Sequence, residues 1–176
     1  MEHLTIVPVE PEQAVELAAL AKPIWEEHFT PIIGAAQVAY MLEKFQSAPA
    51  LREQMEREGY RYFYFLWDDE KAGYMGFRRD GDALFLSKLY LKKEFRGRKI
   101  ARAALDFMLD VCRRESLAKI RLTCNKYNAG SLAVYRALGF ATARAQVSDI
   151  GGGFVMDDYV LERQRDAAST LRRSDK

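Results

Sequence analysis

A strand, a basic turn and a long amphipathic helix run on without interruption over residues 84–112, LFLSKLYLKKEFRGRKIARAALDFMLDVC, and a second strand-like run, KIRLTC, follows at 119–124. The first part is apolar through Leu91, a Gly-containing basic turn occupies 92–98, and Ile100, Ala103, Ala104, Phe107, Met108 and Val111 then fall at helical spacing. Two strands joined through a helix are parallel, and the usual right-handed crossover makes them neighbours. The first N–H groups of a helix that begins at such a turn lack intrahelical partners, and the macrodipole places partial positive charge there. Arg96, Arg98, Lys99 and Arg102 add full charges to the same place. A phosphate-bearing ligand is the economical occupant, although the same residues are compatible with a connection that meets only water. Neither G-x-x-x-x-G-K-[ST] nor G-x-G-x-x-G occurs, which sets nucleotide hydrolases and dinucleotide folds aside.

The other predicted strands are reached by short turns. Residues 3–9 read as a first strand, 10–28 as a helix with Pro11 in its first turn and a kink at Pro23, and Thr30-Pro31 as a turn. A second helical stretch carries Val38, Met41, Leu42 and Phe45, and a third opens at Pro49 and ends near Gly59. YRYFYFLW at 60–67 is the strongest strand by aromatic content, AGYMGF at 72–77 its partner, and 79–82 a turn into the strand at 84–91. After the βαβ unit come a short helix at 128–138 and strands at 140–150 and 154–161, joined through Gly151-Gly152-Gly153. The expected fold is α/β, a mixed but mostly antiparallel twisted sheet of about seven strands whose fourth and fifth form a central parallel pair. The length of 176 residues suits one domain, 1–162, and the polar run 163–176 reads as a flexible tail.

Composition narrows the function. Cys112 and Cys124 make neither a disulfide framework nor a zinc site and are expected as buried thiols; with His3 and His28 the only histidines, no metal is expected. The 27 basic residues nearly balance the 25 acidic ones, so no nucleic-acid partner is expected. No apolar run reaches membrane-spanning length and no basic region precedes an apolar core at the N-terminus, so a cytoplasmic protein without a membrane partner is expected. Homodimerisation is left open.

A second motif, NAGSLAVYRALGF at 128–140, is informative. Asn128 can cap the helix by accepting from backbone N–H groups, Gly139 can take a left-handed position after it, and Phe140 can close back on the last turn. Tyr135 falls almost two turns beyond Asn128, on nearly the same side. With RGRKIA at 96–101, this motif resembles the GNAT superfamily of acetyl-CoA-dependent N-acetyltransferases, whose pattern is a strand, [QR]-x-x-G-x-[GA] opening a helix, a strand, then N-x-x-[AS]-x-x-x-Y-x-x-x-G-F. The match covers 84–140, and the order of elements agrees to Leu161.

The resemblance implies helices on both faces of the sheet and acetyl-CoA as co-substrate. By similarity, main-chain groups of Leu89, Tyr90 and Leu91 pair with the pantetheine arm in a gap between splayed fourth and fifth strands. Arg96, Gly97, Arg98, Lys99, Ile100, Ala101 and Arg102 cradle the pyrophosphate, Asn128 bonds the arm, and Tyr135 reaches the thiol sulfur as general acid. The acceptor is a primary amine of a small molecule, polyamine or protein. Lys99 stands where the family has Gly; it is expected at ordinary helical angles with its side chain turned aside. A simple oxyanion donor is a main-chain N–H around Tyr90 or Leu91. No general base is evident, since Thr123 stands where some relatives carry Glu. Glu26, Glu27 and His28, before the Thr30-Pro31 turn, are candidates more readily explained as solvated or capping residues. Tyr60, Tyr62 and Tyr64 read as sheet packing, and Asp149, Asp157 and Asp158 as solvated turn and edge charges. A catalytically weak acyl-CoA-binding sensor on the same fold, and a phosphate-dependent binder of another kind, are the alternatives.

Overall fold

A computed structural model describes residues 3–165. The strands β1 (Leu4–Val9), β2 (Arg61–Trp67), β3 (Glu70–Asp80), β4 (Ala83–Leu91), β5 (Lys119–Asn125), β6 (Ala141–Gly151) and β7 (Phe154–Gln164) form one sheet in the order β1-β2-β3-β4-β5-β7-β6. Residues 83–86 of β4 pair in parallel with 119–122 of β5, and the remaining pairing is antiparallel, as the sequence predicts. The helices are α1 (Ala14–Ile33), α2 (Ala35–Gln46), α3 (Ala48–Arg57), α4 (Ile100–Glu115) and α5 (Ala129–Ala137). Among the described residues no helix is long and apolar enough to cross a membrane.

Two compact units divide these elements, with the described residues up to 78 and 87–100 in one, and 79–86 and those from 101 on in the other. In the first, β1 and β2 pair from Leu4↔Trp67 to Val9↔Tyr62, and β2 turns into β3 through Asp68 and Asp69, whose φ values of 47° and 66° suit the tight turn that matches strand twist. Leu17, Ala21, Ile24, Trp25 and Phe29 make α1 amphipathic and are buried. Ser47 caps α3 by accepting from the Ala50 N–H, and Pro49 occupies its first turn, where a missing N–H costs nothing.

In the second unit, α4 buries Ala104, Leu105, Met108, Val111 and Cys112 along one stripe. Leu84, Leu86, Ile120 and Leu122 bury the paired ends of β4 and β5, and Leu161 joins them from β7. Both cysteines are free and buried; burial pushes the Cys112 thiol up to about 11.

Two boundaries differ from the sequence reading. The turn expected at Thr30-Pro31 does not form: α1 continues through both prolines to Ile33, and Gly34, with φ 85°, ends it while its N–H donates to Thr30 O at 3.0 Å. Pro23 and Pro31 are exposed, so the carbonyls that they leave without a helical donor can turn to water. Glu26, Glu27 and His28 therefore lie inside a helix, with Glu26 4.0 Å from Lys22 one turn away. At the other end, β7 runs on to Gln164 because Arg163 is buried and donates to Leu138 O at 3.1 Å, so the expected tail begins late. The rest of it, 166–176, lies outside the described residues.

Candidate active site

The basic turn has a defined shape. After β4, the Lys92 N–H donates to Ala72 O at 2.8 Å, a single 3-10 turn spans Lys93–Phe95, and Phe95 is buried beneath it. Arg96 reaches back to Leu91 O at 3.3 Å. Arg98 donates to Glu94 O at 3.3 Å, with its guanidinium 5.0 Å from the Trp67 ring and 5.1 Å from the Phe95 ring. Those contacts hold an otherwise flexible cation in place while its residue stays exposed, as do Arg96, Lys99 and Arg102. The cations and the free N–H groups at the start of α4 are suited to a diphosphate.

Lys99 departs from its expected conformation. The helix begins at Ile100, not in the turn, and Lys99 has φ 60°, the left-handed region that a glycine occupies without strain. The backbone thus keeps glycine-like geometry with a lysine in it, at a cost of about 1 kcal/mol. Lys99→Gly is expected to raise the unfolding free energy by about 0.5–1 kcal/mol. Urea unfolding checks this, and a loss of stability would show that the lysine side chain supports the turn.

The β4 segment Leu89, Tyr90 and Leu91 is fixed from β3. A Cβ on Gly73 would stand 2.1 Å from Tyr90 O and 2.9 Å from the Leu91 Cα, so only glycine lets the two backbones come this close. The Tyr90 ring packs 5.2 Å from Trp25, 5.5 Å from Phe29 and 5.8 Å from Tyr74.

Beside this segment is a buried polar network that the sequence reading missed. Trp25 Nε1 donates to Tyr74 Oη at 2.9 Å, and Tyr74 Oη donates to Gln46 Oε1 at 2.8 Å. Gln46 and Gln54 both donate to Phe45 O, at 3.1 Å and 2.9 Å. Tyr62 Oη donates to Gln54 Oε1, and Lys88 Nζ donates to Tyr62 Oη and, at 2.9 Å, to Gln54 Oε1. The Tyr62 ring crosses over Gly76, where a Cβ would lie 2.5 Å from it, and so reaches from β2 to Lys88 on β4. Lys88 is 7% exposed, and burial pushes its ammonium down to about 7, with Glu58 opposing and Arg78 adding to the effect. Tyr62 and Tyr74 are thus hydrogen-bonded as well as packed. The sequence signal was a lone charged residue in the mostly apolar LFLSKLYL.

In the second unit α5 takes the expected form. Asn128 is buried and accepts from the Ser131 N–H at 3.4 Å. The Gly139 N–H donates to Arg136 O and the Phe140 N–H to Tyr135 O, both at 3.0 Å, with Gly139 at φ 94°. This paired closure of a helix C-terminus brings the Phe140 ring 5.6 Å from Tyr135. Tyr135 is half-buried; burial raises its phenol above the ordinary value, and Cys124 adds to the rise. Its proton is therefore retained across the neutral range.

The remaining candidates separate. Asp149 accepts from the Gly151 N–H at 2.8 Å and shapes the turn, and Asp157 pairs with Lys126 at 2.8 Å. Asp158, expected as a solvated edge charge, is instead buried.

A mixed seven-stranded sheet with one parallel pair, a cationic turn leading into α4, and a capped α5 carrying Asn128 and Tyr135 are the arrangement that the resemblance to acetyltransferases leads one to expect. The chain belongs to the acetyltransferase (GNAT) family, whose family model matches residues 21–140. Solved structures share the fold. A PaiA N-acetyltransferase from Thermoplasma acidophilum, in complex with coenzyme A, is 18% identical with a TM-score of 0.74 over 92% of this chain and 98% of its own. A variant of spermidine N-acetyltransferase from Vibrio cholerae is 15% identical, with a TM-score of 0.67 over 99% of both chains. The ribosomal-protein-S18-alanine N-acetyltransferase from Escherichia coli is 18% identical, with a TM-score of 0.64 over 92% of this chain and 93% of its own. No curated protein matches by sequence.

Proposed function

We propose that this protein, acting as one catalytic domain over residues 1–162, moves the acetyl group of acetyl-CoA to a primary amine in the cytoplasm. The pyrophosphate is held by the turn from Arg96 through Gly97, Arg98, Lys99, Ile100 and Ala101 to Arg102. The pantetheine arm pairs with the main chain of Leu89, Tyr90 and Leu91 and with Asn128. An N–H of Tyr90 or Leu91 faces the oxyanion as it forms. Tyr135 gives its proton to the departing thiolate. The observation that carries this reading, beyond family membership, is the placement of Tyr135 on a helix capped at both ends, by Asn128 at its start and by the Gly139 and Phe140 N–H groups at its end.

The acceptor class follows the neighbours only as far as a primary amine, since one is a spermidine and another a ribosomal-protein acetyltransferase. The test is thiol release from acetyl-CoA with spermidine, n-butylamine, a lysine-containing peptide and a peptide with N-terminal alanine, each against an amine-free control. Amine-dependent release is expected with at least one. Tight coenzyme binding without it would favour the sensor reading.

Arg98→Glu is expected to weaken acetyl-CoA binding at least tenfold, about 1.4 kcal/mol, by setting a carboxylate beside phosphate. Titration calorimetry reads this directly, and an unchanged affinity would place the diphosphate elsewhere.

A further inference from the structure

Asp158 is only 4% exposed, and its Oδ1 has no hydrogen-bond partner among the described residues. A carboxylate taken out of water needs a cation or donors to replace what it loses. In its own unit the cation beside it, Lys126, is engaged by Asp157 at 2.8 Å. Asn125, directly across on β5, turns its side-chain oxygen to the Tyr127 N–H at 2.9 Å. The carboxyl oxygen is thus in place without the partner that its burial demands.

The ladder shows where such a partner would come from. Asp158 pairs with Asn125 on β5 and with Gln146 on β6, while Thr123 pairs with Val160. Opposed residues of antiparallel strands share a face, as do alternate residues along one strand. Asp158, Asn125 and Thr123 therefore lie on one face. Thr123 is exposed there, one diagonal step, about 7–8 Å, from Asp158. A ligand that settles over Thr123 comes within reach of the carboxyl. Thr123 itself has no group able to take a proton from an amine.

We propose that Asp158 receives the acceptor: its carboxylate takes the incoming ammonium as counter-ion and accepts one of its protons. This rests on the acetyl-transfer reading and supplies the base that reading lacked. The ammonium gives one proton to Asp158, and the free amine forms a C–N bond to the thioester carbonyl carbon. As the C–S bond breaks, the thiolate takes the proton of Tyr135, which regains one from the acylated nitrogen. Asp158 returns its proton to solvent, so that one proton is released in each turnover.

The electrostatics agree. Burial, then the like charge of Asp157, push the Asp158 carboxyl up to about 6, with Lys126 opposing. Cys124, whose thiol is pushed up to about 12 by burial and then by Asp158, is within electrostatic reach of both Asp158 and Tyr135. A carboxyl near 6 is ionised at neutral pH and still basic enough to assist proton removal.

The experiment follows kcat/KM from pH 5 to 9 with the fastest amine of the panel above, alongside acetyl-CoA affinity by calorimetry. The wild type is expected to show an acid limb near pH 6. Asp158→Asn is expected to lose at least 100-fold at pH 7 and to lose the limb, with acetyl-CoA affinity within twofold. Asp158→Glu is expected to keep a limb. A wild-type profile flat between pH 5 and 7 overturns the proposal even if Asp158→Asn does not fold, and so does a folded Asp158→Asn within threefold of wild type. Absence of amine-dependent release from the wild type is a different failure, that of acetyl transfer itself.

Discussion

Tyr135→Phe is expected to lower turnover about 100-fold while leaving acetyl-CoA affinity within about twofold. The change removes one O–H and little volume. The ring that packs 5.6 Å from Phe140 remains, and the C-terminal closure of α5, made by backbone N–H groups, is untouched. Only the phenolic proton, which a tyrosine keeps through the neutral range, is lost. The departing thiolate must then leave without a donor, so the effect belongs in kcat. Pre-steady-state thiol release at saturating acetyl-CoA measures it. Unaltered turnover would exclude the phenol from the mechanism, and a parallel loss of coenzyme affinity would recast Tyr135 as a packing residue.

The second large effect is on stability. The Lys88 ammonium is held at about 7 in the folded protein against 10.5 when exposed. Between those values the unfolded chain binds a proton that the folded chain does not, so stability rises with pH through that window and is lowest below about pH 7. Lys88→Met, similar in length and without charge, removes the dependence. The variant is expected to exceed the wild type in unfolding free energy most at pH 6, and the gap should narrow by on the order of 4 kcal/mol by pH 10. Tyr62 and Gln54 keep their mutual hydrogen bond, which limits what the substitution forfeits. Urea unfolding of both proteins at pH 6, 7, 8, 9 and 10 provides the comparison. A constant gap would mean that Lys88 is charged across the range.

These two residues show unequal legibility. The role expected of Tyr135 came from the family resemblance, whereas the helix that carries it was legible in short-range spacing: Asn128 before it, Gly139 and Phe140 after it. Each is a local backbone requirement that leaves a mark on neighbouring residue types. Lys88 was not legible, because what makes it unusual is contributed by distant parts of the chain. Gln54 comes from α3, Tyr62 from β2, and the passage between strands from the missing side chain of Gly76. Asp158 was misjudged for the same reason: beside a glycine turn an aspartate usually meets water, and only strand pairing shows that it does not. Lys99 was misjudged from its residue type, since lysine favours helical angles and the surrounding turn overrides that preference.

Taken by itself, the sequence determined the order of the elements, the parallel pair at the centre of the sheet, the cationic turn and the capped helix that carries the phenol. Periodicity, turn chemistry and helix capping act over a few residues, and a linear chain records them. The tertiary structure alone decided that these polar groups are deprived of water: Lys88 beneath α3, and Asp158 beside β5 with one oxygen unpartnered among the described residues. Desolvation depends on every segment that folds over a group, and no local pattern reports it.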